Sequence, residues 1–189
     1  MTQTAKHDSK DPLLDLHLAS DIQIYTDGSC TGNPGPGGFG ALVWESAKNK
    51  DRPKERFATE IFGGEAKTTN NRMELMAVIS ALKFVTSRDD MDAHHLRILI
   101  LSDSKYVLDG IQSWIVGWKK NNWRTSGKKP VVNQDLWMLL DELVSPLTIS
   151  WKWVRGHSGD VGNEKADALA QEGTRYPGRT VTRNYRGDR

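Results

Sequence analysis

The sequence predicts a mixed α/β fold, one sheet of antiparallel and parallel strands with helices packed on it. Three observations carry that expectation. Three β-rich stretches follow one another before any helical spacing begins. A short, branched and almost wholly apolar run, Leu96 to Leu101, follows the first helical stretch. Strand-like and helical segments then alternate as far as Glu172.

Taken in order, residues 1 to 20 are polar apart from Leu13, Leu14, Leu16 and Leu18, enough for one helical turn but not for a domain, and are expected to be a flexible extension. Ile22, Ile24 and Tyr25 open the first strand. Ala41 to Trp44 and Phe57 to Phe62 supply two more, separated by the turn-prone, charged stretch Ala47 to Pro53. Three consecutive strands imply an antiparallel meander. From Asn71 the period changes, because Leu75, Val78, Ile79, Leu82 and Val85 fall at helical spacing, with Asn70 or Asn71 available as N-cap. Leu96 to Leu101 reads as a central strand covered on both faces. A helix is expected from Ser104 and another near Asn133 to Leu143. A last strand spans Thr148 to Val154 and a last helix Asn163 to Glu172.

A chain of 189 residues at 21.2 kDa suits one domain with its own core, and a mean hydropathy of −0.58 without a long apolar run argues against a membrane-spanning protein. The start has no secretory pattern, and one cysteine, Cys30, cannot form an internal disulfide, so a reduced, cytoplasmic setting is expected. The net charge of +2 is unevenly spread. Between Gly117 and Pro130, Lys119, Lys120, Arg124, Lys128 and Lys129 meet no acidic residue, which suits a polyanion or open water. From Gly173 onward five arginines face only Asp188, and residues 174 to 189 are expected to be a basic, disordered tail. The body between these segments is mildly acidic, as in proteins that hold cations in one place and phosphates in another.

Four acidic residues at element edges draw attention for different reasons. Asp27 precedes Gly28, an ordinary turn pair, and Glu74 lies in the first helical turn, where the dipole alone favours a carboxylate. Asp103 is harder to explain locally. It ends a buried strand and stands between hydroxyls, at the carboxyl edge where α/β sheets place ligands. Asp167 is set among Ala166, Ala168, Leu169 and Ala170, where an unpaired charge is costly. Carboxylates converging at one sheet edge repel unless hard cations neutralise them, and magnesium is the economical choice.

The chain resembles the type 1 ribonucleases H, most closely bacterial ribonuclease HI. The resemblance is carried by Tyr25-Thr-Asp-Gly-Ser-Cys-Thr-Gly-Asn-Pro-Gly-Pro-Gly-Gly-Phe-Gly40, Thr68-Thr-Asn-Asn-Arg-Met-Glu-Leu75, Ser102-Asp-Ser-Lys-Tyr-Val107, and Trp153-Val-Arg-Gly-His-Ser-Gly159 followed by Asn163-Glu-Lys-Ala-Asp-Ala-Leu-Ala170. It covers residues 21 to 173, which we take as the catalytic domain. It implies a five-stranded mixed sheet flanked by helices, and an endonuclease that cuts the RNA strand of RNA–DNA hybrids to leave 5′-phosphate and 3′-hydroxyl ends. The family's carboxylate tetrad falls on Asp27, Glu74, Asp103 and Asp167. By resemblance these residues are both catalytic and metal-binding, holding two Mg²⁺ ions per active site with substrate, with Mn²⁺ as a substitute. Asp27 would bridge, Asp167 serve the water side, and Glu74 and Asp103 the leaving-group side. His157, between Gly156 and Gly159, matches the family's mobile histidine, a proton shuttle or an aid to product release.

The resemblance also implies substrate contacts. Backbone groups near Cys30 and Gly32, with Asn33, Asn70, Asn71 and Glu74, would face the hybrid's minor groove and 2′-hydroxyls, and Thr69 a DNA phosphate. Lys105 stands where bacterial members usually have glutamine, and a cation there suits a phosphate. Residues 114 to 130 resemble the basic protrusion that grips the DNA strand, through Trp114, Lys119, Lys120, Trp123, Lys128 and Lys129; Trp118, at helical spacing, reads as core. Point charges on phosphates do not read sequence, so cutting is expected to be largely sequence-independent. The expected partner is an RNA–DNA hybrid, with no membrane, and the expected state a monomer. Two competing readings are a noncatalytic hybrid binder and a strand-transfer relative. Four clustered acids beside a polyanion argue against the first. The chain's length, which leaves no room for extra DNA-end-binding domains, argues against the second.

Overall fold

The computed structural model describes residues 19–46, 56–90 and 92–187. The expectations for residues 1 to 18 and for the turn from Ala47 to Pro53 lie outside the described residues. Strands β1 (Ile22–Cys30), β2 (Gly35–Ser46) and β3 (Arg56–Thr68) form the antiparallel meander. Strands β4 (Arg97–Ser102) and β5 (Thr148–Trp153) extend the sheet in parallel from the other side of β1.

A sixth strand, β6 (Thr180–Gly187), corrects the expected five-stranded sheet and the expected disordered tail. It pairs antiparallel with β3, giving the order β5-β4-β1-β2-β3-β6. The arginine content that suggested disorder has a use here. Arg183 reaches Glu60 at 2.9 Å and Glu172 at 2.8 Å, and its guanidinium lies 4.4 Å from the centre of the Phe62 ring. An arginine stem over an aromatic face, with its head paired, covers apolar surface as it neutralises charge.

Among the described residues five helices accompany the sheet: α1 (Asn70–Thr86), α2 (Lys105–Asp109), α3 (Ile115–Lys120), α4 (Gln134–Val144) and α5 (Val161–Gly173). The connection from Ser87 includes a short 3₁₀ turn, Ala93–His95, capped by Asp92. The N-cap of α1 is Thr69 rather than Asn70 or Asn71, and its carbonyl accepts from Met73 at 3.2 Å. The helical run from Ser104 is not one α-helix. A wider π-turn, Gly110–Trp114, joins α2 to α3, and a Cβ at Gly110 would lie 2.0 Å from the Trp137 ring. No helix among the described residues is long and apolar enough to cross a membrane.

The alternation along β1 and β4 explains how two helical layers bury one sheet. Ile22, Ile24, Ile98 and Ile100 face Leu75, Val78, Ile79 and Leu82 of α1, with Trp137 of α4 in the same core. Tyr25, Leu99 and Leu101 point to the opposite face, where Leu42 and Ala166 of α5 meet them. Strand β4 is therefore buried on both faces, as its apolar run required. Two glycines set how closely the helices approach. A Cβ at Gly28 would stand 2.3 Å from the Glu74 nitrogen, and one at Gly40 would stand 2.4 Å from the Ala166 carbonyl. Bare backbone at these points lets α1 and α5 bring their acidic residues to the end of β1.

Candidate active site

Asp27 occupies the end of β1, opposite Gly40 of β2, just past the last residues through which β1 pairs with β4. Its face is the one covered by α5, so Asp167 approaches from that side. Glu74 arrives from α1 on the other side, and Asp103 follows the last residue of β4. Four separated segments therefore place their carboxylates around one sheet edge.

Electrostatics confirm the grouping. Burial pushes the Asp27 carboxyl up to about 8; the charges of Asp103, Asp167 and Glu74 push the same way, while a hydrogen bond from the Gly28 amide opposes them. Burial also pushes Glu74 up to about 7, with Ser104 opposing and Asp103 adding to the rise. Acids held this far above their usual range are only partly ionised at neutral pH, and incoming positive charge favours the ionised form. Among the described residues no three His, Cys, Asp or Glu side chains converge closely enough to hold one ion together. The carboxylates gathered here are hard oxygen donors of the kind magnesium takes, and on that ground the residues fit it.

Hydrogen bonds orient each acid. Glu74 receives Asn70 Nδ2 on Oε1 at 2.8 Å and the Ser104 hydroxyl on Oε2. Ser104 in turn caps α2 by accepting from the Val107 amide at 3.2 Å. Asp103 accepts from Asn163 Nδ2 at 3.5 Å, and its carbonyl accepts from the Trp153 indole at 3.2 Å. Asp167 accepts from Gln171 at 2.9 Å. His157 is exposed, in a left-handed conformation at φ 50°, with Nδ1 3.8 Å from Asp167 Oδ2.

The other expected residues divide into two groups. Beside the carboxylates, Gly32 turns the chain at φ 84°, Asn33 Oδ1 accepts from the Asn70 amide at 3.1 Å, and the Cys30 thiol faces the Thr68 carbonyl at 3.4 Å. Thr69 is half-buried, Asn71 is exposed, and the Lys105 ammonium lies 5.9 Å from the centre of the Trp153 ring. The basic segment stands apart, and none of its lysines pairs with the four acids. Trp118 packs on Trp137 with ring centres 5.4 Å apart, and Trp123 is also packed against the core. Trp114 remains 40% exposed. Lys119 is held by Asp141 at 2.7 Å, whereas Lys120, Lys128 and Lys129 are exposed. Sequence reasoning missed Ser104 and Asn163. The signal was present: a second serine after the strand-ending Asp103, and an amide one helical turn before Asp167.

Comparison with known proteins shows what the chain is similar to. The family model described as RNase H matches residues 19–175. A ribonuclease H of Maricaulis maris is 51% identical over 154 residues, 82% of this chain and 93% of its own. One of Jannaschia sp. is 53% identical over 154 residues, 81% and 90% of the two chains. Among solved structures, LC9-RNase H1, a type 1 RNase H with the type 2 active-site motif, superposes with a TM-score of 0.70 at 32% identity, covering 82% of this chain and 72% of that one. LC11-RNase H1, solved in complex with RNA/DNA hybrid, shares the fold at a TM-score of 0.56 and 21% identity, covering 82% and 96%. Matched in fold and over most of its length, with four acids at one sheet edge, the chain belongs to the ribonuclease H family.

Proposed function

We propose that this chain is an endonuclease that hydrolyses the RNA strand of RNA–DNA hybrids, largely without regard to sequence, leaving 5′-phosphate and 3′-hydroxyl ends. The observation that carries the reading is the carboxylate cluster, in which Asp27 is pushed up to about 8 and Glu74 to about 7. A cluster so costly to ionise is an engine for recruiting divalent cations beside a phosphate. Asp27, Glu74, Asp103 and Asp167 would hold them, with Asp27 shared between the two sides. When bound, divalent cations make water a better nucleophile and neutralise charge building on the phosphate.

The chain's own residues supply the rest. Asn33, Asn70 and the turn around Gly32 form one connected surface beside Glu74, joined by the bond from the Asn70 amide to Asn33. That surface offers amide donors and acceptors for 2′-hydroxyls in a shallow minor groove. Lys120, Lys128 and Lys129 hold phosphates of the DNA strand. His157, exposed and beside Asp167, takes and returns a proton at the reacting oxygens and then swings clear as product leaves. The reading of an RNA–DNA hybrid as substrate is supported by LC11-RNase H1 and a foamy viral protease-reverse transcriptase, each solved in complex with RNA/DNA hybrid and alike in fold to this chain.

The test is cleavage of an end-labelled RNA–DNA hybrid beside RNA–RNA and DNA–DNA duplexes, with Mg²⁺, with Mn²⁺ and with chelator. Metal-dependent cutting of the hybrid's RNA alone supports the reading. Tight hybrid binding with no cutting under either metal would replace it with a noncatalytic binder.

A further inference from the structure

Asn163 is a polar side chain in an apolar place. It lies in the N-terminal part of α5, yet it is only 2% exposed, and its Oδ1 is buried without a hydrogen-bond partner. A primary amide buried with an open acceptor is unfavourable, and such groups persist where a task requires them. Its other end identifies the task. Nδ2 donates to Asp103 Oδ2 at 3.5 Å, across 60 residues of sequence. The same Asp103 oxygen is walled on another side by Gly156, where an added Cβ would stand 2.5 Å away. The Asn163 backbone is itself fixed, since its amide donates to the capping Asp160 at 3.0 Å.

Asn163 and Asp167 are four residues apart, on one face of α5. The helix that delivers Asp167 to the cluster therefore also delivers an amide to Asp103. We infer that Asn163 is a positioning residue, which sets the rotamer of Asp103 and locks the strand-end acid to the helix carrying Asp167. An uncharged amide suits this role. A lysine would neutralise the acid and compete with a cation, whereas an aliphatic residue would leave Asp103 free to turn to water. The 3.5 Å separation is at the long end for such a bond, as expected of a site whose contacts tighten when it is loaded.

This inference rests on the proposal that Asp103 helps to hold divalent metal, and the experiment separates the two. Mg²⁺ binding is measured by calorimetry, without substrate, for the wild type, Asn163→Ala, Asp103→Ala and the double variant. Residues that orient metal ligands change affinity by roughly 10- to 100-fold when removed. Asn163→Ala is expected to weaken Mg²⁺ binding about 10-fold alone and less than about twofold in the Asp103→Ala background. Equal losses in both backgrounds, or no loss in either, would overturn the positioning role. A second readout needs neither metal nor the Asn163 variant. The Asn163 side-chain amide resonances of the metal-free protein should shift and exchange faster with solvent in Asp103→Ala. Resonances unchanged by that substitution would overturn the inference. Failure of the wild type to take up Mg²⁺ would instead count against the proposed function, with the amide resonances still deciding the role of Asn163.

Discussion

Replacing Asp27 with asparagine should stabilise the metal-free protein, and more so as pH rises. The Asp27 carboxyl lies at about 8 in the fold against an ordinary 3.8. Between those values the folded protein holds a proton that the unfolded chain has released. The contribution of this group to stability is therefore complete below about pH 4, declines through neutrality, and is gone above about pH 8. At roughly 1.4 kcal/mol per unit, keeping Asp27 ionised costs the metal-free fold at most about 6 kcal/mol. Burial is the largest part of that, and relaxation of the fold with water entry reduces it well below this ceiling. We therefore expect Asp27→Asn to gain about 2 kcal/mol over wild type at pH 9, a rise of roughly 4–8 °C in Tm for a chain of this size. At pH 5, where wild-type Asp27 is protonated, the gain should be much smaller. Thermal unfolding of both proteins in chelator at the two pH values measures it. A variant no more stable than wild type at pH 9, or a difference that does not grow with pH, would refute the claim that repulsion and burial strain this cluster. Added Mg²⁺ should raise the wild-type Tm more than that of the variant, since only the wild type has that charge to neutralise.

Three further outcomes follow from the packing and the surface. Gly40→Ala drives a methyl group into the backbone of α5 and should cost about 1–3 kcal/mol in a urea melt, with reduced cleavage because α5 carries Asp167. Ending the chain after Gly178 removes β6, leaving Glu60 without Arg183 and the edge of β3 open. It should cost about 1–3 kcal/mol and produce concentration-dependent self-association by light scattering, with kcat retained. Changing Lys120, Lys128 and Lys129 together to alanine should flatten the dependence of log Kd for a hybrid on log salt by roughly 2–3, and an unchanged slope would remove these lysines from the DNA-binding surface.

Much of this was legible locally, because local physics decided it. The helical spacing of Leu75, Val78, Ile79 and Leu82 and the unbroken apolar run of β4 each report a buried surface that their own residues generate. Asp103 and Asp167 were visible as anomalies, Asp27 and Glu74 had ordinary local explanations, and family resemblance joined the four. What escaped reading depended on partners distant in sequence. Strand β6 looks like a solvated basic tail until Glu60, Glu172 and Phe62 stand beside Arg183. Position 110 takes a glycine because the ring of Trp137 occupies the space a side chain would need. Helix α1 starts one residue earlier than expected, with Thr69 at the N-cap position, and the Asn70 side chain bonds Glu74 instead of capping the helix. Ser104 and Asn163 were passed over for the same reason, since each matters through one acid reached only in the folded chain.

The central claim, that the carboxylate cluster performs the chemistry rather than the binding, is tested most directly by Asp27→Asn with a labelled RNA–DNA hybrid in Mg²⁺. Anisotropy and cleavage are followed on the same samples. The account predicts hybrid affinity equal to or tighter than wild type, because one negative charge beside a polyanion is gone. Cleavage should fall at least about 1,000-fold, roughly 4 kcal/mol of transition-state stabilisation. Cutting within tenfold of wild type, or loss of binding in step with loss of cutting, would contradict it.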